Sequence, residues 1–146
     1  MPATPHGPFV AMAVLCDRVE PKPDGTVDVF GIVDGVVLTP EGDDAFGLKP
    51  AAELSLTAVI SLKAGDERGP HEVALQGVYP GGAPGPSVAR TVAFTDDMPG
   101  ASFIVPLDLK VHEPGLYAFD LRYDGSLLTR IGLQVYYASP EVGPAS

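Results

Sequence analysis

Nucleophiles and metal ligands are scarce in this chain. Its 146 residues include one cysteine, Cys16, and three histidines, His6, His71 and His112. A single thiol rules out an intramolecular disulfide, which fits a reducing compartment. No Cys/His pair stands at the close spacing that structural zinc requires. Tryptophan is absent. Basic residues number nine against 19 acidic ones, for a net charge of −10. A phosphate backbone is bound through Lys and Arg, so nucleic acid is not an expected partner, and neither is an anionic membrane surface. Nor does any apolar run approach the roughly 20 residues of a membrane helix. The run Phe9–Cys16 is short, no Lys or Arg precedes it, and Asp17-Arg18 follows at once, unlike a signal peptide. Leu15 occupies the position where a lipoprotein cysteine wants a small residue. These features lead to the expectation of a cytoplasmic location.

Turn formers are plentiful: 17 glycines and 16 prolines are spread through the chain as punctuation. Hydrophobic residues make up 45%, a globular balance. A chain of this length forms one domain and buries roughly 70% of the surface its unfolded form exposes. Residues 8–138 are expected to form that domain, with 1–7 and 139–146 as flexible tails.

Between the turns, apolar residues recur with period two, the signature of a half-buried strand. In Ala52–Gly65, Leu54, Leu56, Ala58, Ile60 and Leu62 share one face; Ser55, Thr57, Ser61 and Lys63 share the other, with Val59 as its apolar exception. In "SFIVPLDLKV", Phe103, Val105, Leu107, Leu109 and Val111 alternate with Ile104, Pro106, Asp108 and Lys110. Proline cannot donate to a ladder, so Pro106 predicts an edge or a bulge. The stretch "GLYAFDLRYDGSLLTRIGLQV" reads as a hairpin with Asp124-Gly125 at its tip, since a type I′ turn wants positive φ at both central residues. Tyr117, Phe119, Leu121 and Tyr123 face inward on its first strand and Ile131, Leu133, Val135 and Tyr137 on its second. Asp120, Arg122 and Arg130 point away, to solvent. Further strands are expected at His71–Tyr79 and Ser87–Phe94.

These signals predict an all-β, antiparallel two-layer β-sandwich of about eight strands, immunoglobulin-like or similar, with a small β-barrel as the alternative. No helical face is evident beyond one short turn within 41–52. Tyr117 stands where a corner tyrosine braces such a sandwich, and Tyr117, Phe119, Asp124 and Gly125 are expected to be structural.

Candidate chemistry is thin. Cys16 would need His71 or His112 beside it to act as a nucleophile, yet it ends an apolar strand, where cysteine behaves as a small hydrophobe. Glu41, Asp43, Asp44, Asp96 and Asp97 are the acidic loop residues available to calcium, without the spacing of a dedicated calcium loop. Asp34 and Glu53 are carboxylates of the kind glycosidases use, but no spacing pairs them. "PGGAPGP", 80–86, lacks the Lys-Ser/Thr and the helix of a phosphate loop. Tyr136 is the one tyrosine expected outward, where a sugar could stack. No cofactor is implied.

The segments Phe9–Cys16 and Val27–Leu38 are apolar on both faces. A two-layer sandwich buries one face of each sheet, so the other must be covered or form an interface. This favours a non-enzymatic domain acting through protein contacts, as an oligomer or accessory subunit. A calcium, carbohydrate or small-ligand module is the alternative, and an enzyme with an unrecognised site the third.

The steps Cys16-Asp17-Arg18-Val19, Asp24-Gly25 and Gly31-Ile32-Val33-Asp34, with the later Gly115, Tyr117, Phe119 and Leu121, resemble a family of small bacterial proteins classed only as a domain of unknown function. The resemblance spans most of residues 9–137. It implies a compact β-domain and brings no activity with it.

Overall fold

The computed structural model describes residues 6–38 and 52–137. Of the tails expected at 1–7 and 139–146, residues 1–5 and 139–146 lie outside the described residues, as do residue 138 of the expected domain and all but Ala52 of the turn placed within 41–52. Nine strands follow one another: β1 Phe9–Pro21, β2 Val27–Val33, β3 Gly35–Leu38, β4 Ala52–Lys63, β5 Gly69–Val78, β6 Pro84–Phe94, β7 Gly100–Val111, β8 Gly115–Tyr123 and β9 Ser126–Tyr137. They form a four-stranded sheet, order β2-β1-β4-β7, and a five-stranded sheet, order β3-β9-β8-β5-β6.

The period-two pattern decides which side chains fill the space between the sheets. Ala58, Ile60 and Leu62 of β4 and Val105, Leu107, Leu109 and Val111 of β7 face Tyr117, Phe119 and Leu121 of β8 and Leu133 and Val135 of β9 in one continuous core. Burying an aromatic or aliphatic side chain of this kind stabilises the fold by about 1.5–3 kcal/mol.

The predicted hairpin forms as written. Tyr123 pairs with Ser126, and the two residues between have φ of 48° at Asp124 and 87° at Gly125, the left-handed values of a type I′ turn. Pro106 lies on β7, which among the described residues is an edge strand beside β4, the place in a sheet where proline is tolerated.

One part of the topology departs from an all-antiparallel expectation. The segment 27–38 is not one strand. β2 pairs antiparallel with β1, and after Asp34 the chain crosses to the other sheet, where β3 runs parallel to β9. Within β2, Gly31 has a φ of 67°, and a Cβ there would lie 2.9 Å from Asp17 Cβ across the ladder. Only glycine accommodates both the left-handed backbone and that approach. The split accounts for nine strands where about eight were expected.

The arrangement is immunoglobulin-like. β1-β4-β7 correspond to strands A, B and E of that fold, and β9-β8-β5 to G, F and C, with β3 added parallel to G. The two sheets remain open at their edges, so the sandwich stands and the barrel does not.

Candidate functional site

Three places in the domain concentrate chemistry: the tip of the β8–β9 hairpin, the outer face of the five-stranded sheet, and the outer face of the four-stranded sheet.

At the hairpin tip, Asp124 is fastened to β5. Its backbone N–H donates to the Glu72 carbonyl at 2.8 Å, and its Oδ1 accepts from the Glu72 N–H at 2.9 Å. Its Oδ2 lies 2.7 Å from His71 Nδ1, while His71 Nε2 lies 2.8 Å from the Arg68 carbonyl. The ring stacks on Tyr123, centroids 4.8 Å apart, and Tyr123 donates its hydroxyl to Glu67 at 2.8 Å. The hydrogen bond to Asp124, and then the one to the Arg68 carbonyl, raises the His71 pKa. The Glu72 N–H and then His71 hold the Asp124 carboxyl below its usual value. Burial, and then the bond to Glu67, pushes the Tyr123 phenol upward. Both imidazole nitrogens are engaged with oxygen partners, the Asp124 carboxylate and the Arg68 carbonyl, so neither faces open solvent or a neighbouring thiol.

On the outer face of the five-stranded sheet, Asp120 does not sit in solvent as its sequence position suggested. It is 4% exposed. Arg130, opposite it in register, donates Nε to Oδ1 at 2.5 Å and Nη2 to Oδ2 at 3.0 Å. Arg122 approaches from the same side at 3.8 Å and donates Nε to Gln76 at 3.1 Å. The fork of Arg130 depresses the Asp120 pKa. The two guanidiniums form a lid that conceals the carboxylate. Tyr136 is half exposed, beside Val37 in the parallel pair.

Cys16 is fully buried on β1. Burial, then the nearby Asp17 charge, raises its pKa, the reverse of an activated thiolate. His71 is on β5 in the other sheet with both nitrogens engaged, and His112 follows the end of β7. The structure therefore does not bring the sequence's Cys–His candidates together. Asp34 stands at the crossing between sheets and Glu53 on β4. Asp96 accepts from Arg68 Nε at 2.9 Å, and Asp97 is exposed next to it in the β6–β7 turn. Glu41, Asp43 and Asp44 lie outside the described residues. Among the described residues no group of three His, Cys, Asp or Glu is gathered to hold a metal ion. The segment 80–86 forms a 3₁₀ turn at Pro80–Gly82 and then opens β6. No helix among the described residues is long and apolar enough to cross a membrane.

The outer face of the four-stranded sheet is apolar at its centre. Register sets Val14, Val59 and Ile104 side by side, with Ile32, Cys16, Thr57 and Pro106 in the next row and Met12, Ser61 and Ser102 on the other side. Ile32 is 63% exposed and Ile104 42%. Charge enters only beyond these rows. On β1, Arg18 holds its guanidinium 4.1 Å above the Phe30 ring and pairs with Glu20; on β4 and β7, Ser55 and Asp108 are hydrogen-bonded to each other at 3.0 Å.

Residues 11–136 match a family of unknown function, DUF6941. The chain belongs to that family. Its match covers the Cys16–Val19 step, the Gly31–Asp34 step and the Gly115–Leu121 strand alike. No curated protein matches the chain. Among solved structures it is similar to an immunoglobulin-like protein from Pseudomonas aeruginosa, at 12% identity and a TM-score of 0.37, over 86% of this chain and 97% of that one. It is also similar to the Pseudomonas fluorescens alkylpurine DNA glycosylase bound to DNA containing an abasic site analog, at 12% identity and a TM-score of 0.38. That match spans 85% of this chain and only 30% of the glycosylase.

Proposed function

We propose that this member of the family acts through protein contact, without catalysis, and that the contact is made by the outer face of the four-stranded sheet. One observation carries this reading: the central rows of that face hold no charge, and they expose Ile32, Ile104 and Met12 in a chain of net charge −10. A single exposed apolar residue needs no explanation, but three large ones on one face whose central rows carry no charge suit an interface. The other outer face differs in kind, with Asp120, Arg130, Arg122 and Gln76 bonded to one another across its middle.

A photo-crosslinking amino acid tests this in cells that make the protein natively. Placed at Ile104 it is expected to give a covalent protein adduct, and placed at Gln76, on the opposite outer face, it is expected to give none. Equal labelling from the two positions, or none from Ile104, would overturn the proposal.

A further inference from the structure

We propose that His71 is a proton-operated latch: while its ring is charged it holds the β4–β5 connection, residues 64–68, and when the ring loses a proton it lets that connection go but keeps the tip of the β8–β9 hairpin. The ring sits between two segments far apart in sequence. Its Nδ1 lies 2.7 Å from Asp124 Oδ2 at the hairpin tip, and its Nε2 lies 2.8 Å from the Arg68 carbonyl at the end of the connection. Glu67, in the same connection, places Oε1 3.7 Å from Nε2 and accepts from the Tyr123 hydroxyl at 2.8 Å. Tyr123 of β8 stacks on the ring. From β6, packed alongside, come the uncharged Val92, opposite His71 in register, and Phe94, its ring centroid 6.3 Å away.

A charged ring donates to both oxygens at once. A neutral ring keeps one N–H, and its two tautomers are unequal here. With the proton on Nε2, a lone pair on Nδ1 would face the Asp124 carboxylate, which the Glu72 N–H already fixes at 2.9 Å. With the proton on Nδ1, the bond to that carboxylate survives and the Nε2 lone pair faces a neutral carbonyl. A hydrogen bond to an ionised group is roughly twice as strong as one between neutral groups, so the proton stays on Nδ1. The Arg68 carbonyl and the Glu67 carboxylate are then left against a lone pair, and the connection is the side that yields. The topology says what is loosened. Residues 64–68 carry the chain from β4 in one sheet to β5 in the other. Arg68 Nε donates to Asp96 at 2.9 Å, and the Ala64 N–H donates to the Pro99 carbonyl at 2.7 Å, so the same connection clasps the one by which β6 passes back to β7. Proton loss at one imidazole thereby loosens two sheet crossings at this end of the sandwich.

Nuclear magnetic resonance of the isotope-labelled full chain tests the latch. Nitrogen–proton correlation across the His71 ring is expected to show both nitrogens protonated in acidic buffer and the proton on Nδ1 alone in alkaline buffer. Over the same titration the Glu67 N–H, which donates to the Ala64 carbonyl at 3.0 Å, is expected to lose about tenfold in exchange protection, corrected for the intrinsic effect of pH, the worth of one charge-assisted hydrogen bond. The Asp124 N–H, held on the Glu72 carbonyl at 2.8 Å, should keep its protection. His6 is a second histidine at this connection, its Nδ1 3.5 Å from Asp66 Oδ2. The loss at Glu67 should therefore persist in His6→Gln and vanish in His71→Gln. A neutral ring protonated on Nε2 would overturn the proposal, and that reading needs no variant. Release of Asp124 in place of Glu67, protection at Glu67 that is constant across the titration, or a loss that survives His71→Gln would each overturn it as well.

Discussion

His71 Nδ1 stands 2.7 Å from Asp124 Oδ2, and this bond ties the turn of the β8–β9 hairpin to the first residues of β5. The other ring nitrogen is held 2.8 Å from the Arg68 carbonyl. Two acceptors, one at each nitrogen, are satisfied together only by the imidazolium. Glu67 adds negative charge 3.7 Å from Nε2, Tyr123 stacks on the ring, and Arg68 turns its own side chain away to Asp96.

A dependence of stability on pH follows. The folded state raises the His71 pKa above its ordinary 6.5. The stabilisation is therefore complete below that ordinary value and is lost as pH rises through the raised one. Urea denaturation of the wild type and of His71→Gln should show the two curves furthest apart at mildly acidic pH and converging in alkaline buffer. A gap that widened toward alkaline pH would mean that the neutral ring is the favoured form.

The pair Asp120–Arg130 titrates in the opposite sense. Arg130 holds the Asp120 pKa below its ordinary 3.8, so the contribution is present above that value and disappears as pH falls through the depressed one. Arg130→Met should cost more stability at neutral pH than Asp120→Asn. It strips a concealed carboxylate of its principal partner, whereas Arg130, 55% exposed at the side chain, keeps its water when Asp120 is neutralised. The Arg130→Met penalty should shrink in thermal melts at pH values where the carboxyl is protonated. Equal penalties at both pH values would show that packing alone holds the arginine.

The core and the hairpin were legible because they depend on local rules. Alternation placed Tyr117, Phe119, Leu121, Leu133 and Val135 inside, and Asp-Gly named the turn. Pro106 announced an edge by what it lacks. The doubly apolar β1 also had meaning, since Leu15 fills the core while Val14 and Met12 line the other face. Three features were not legible, and all depend on which strand lies beside which. His71 and Asp124 are far apart in sequence and meet only because β5 pairs with β8. The concealment of Asp120 needs Arg130 directly across the ladder, which hairpin register permits but alternation does not state. The crossing at Asp34, with β3 parallel to β9, is a long-range pairing that no local pattern states. The Asp17–Gly31 contact came nearest to being readable, for a glycine within an otherwise β-branched run often marks a close approach.

Gly125 offers a test of the turn alone. Its φ is 87°, and a Cβ built there meets nothing within 4 Å. Any loss on substitution therefore comes from the backbone and not from a clash. Gly125→Val should cost about 1–3 kcal/mol, the range for a residue forced into a sparsely populated conformation. Gly125→Asn should cost less, because asparagine tolerates the left-handed region. Equal losses for the two variants in chemical denaturation would show that the turn rearranges.

Tyr117 and Phe119 separate the value of a hydrogen bond from that of volume. Both side chains are essentially fully buried on β8, at 1% and 0% exposure. The Tyr117 hydroxyl donates to the Glu113 carbonyl at 2.7 Å, which braces the turn entering β8 in the manner of a tyrosine corner. Its ring meets Tyr79 edge-on, with centroids 5.0 Å apart. Tyr117→Phe keeps the ring and removes the hydroxyl, which also accepts from the Glu113 N–H at 3.5 Å, so it should cost about 1–3 kcal/mol, the penalty of leaving partly buried backbone groups of Glu113 without this partner. Phe119→Ala removes a whole ring from the centre of the core and should cost about 3–5 kcal/mol. The two residues are on the same strand and face but share no hydrogen bond, so the double variant Tyr117→Phe/Phe119→Ala tests whether corner and core act independently. Additive losses in equilibrium denaturation mean that they do. A double variant less destabilised than the sum would show that the Tyr117 bond depends on the packing of Phe119, and that the hydroxyl reports the core and not the turn.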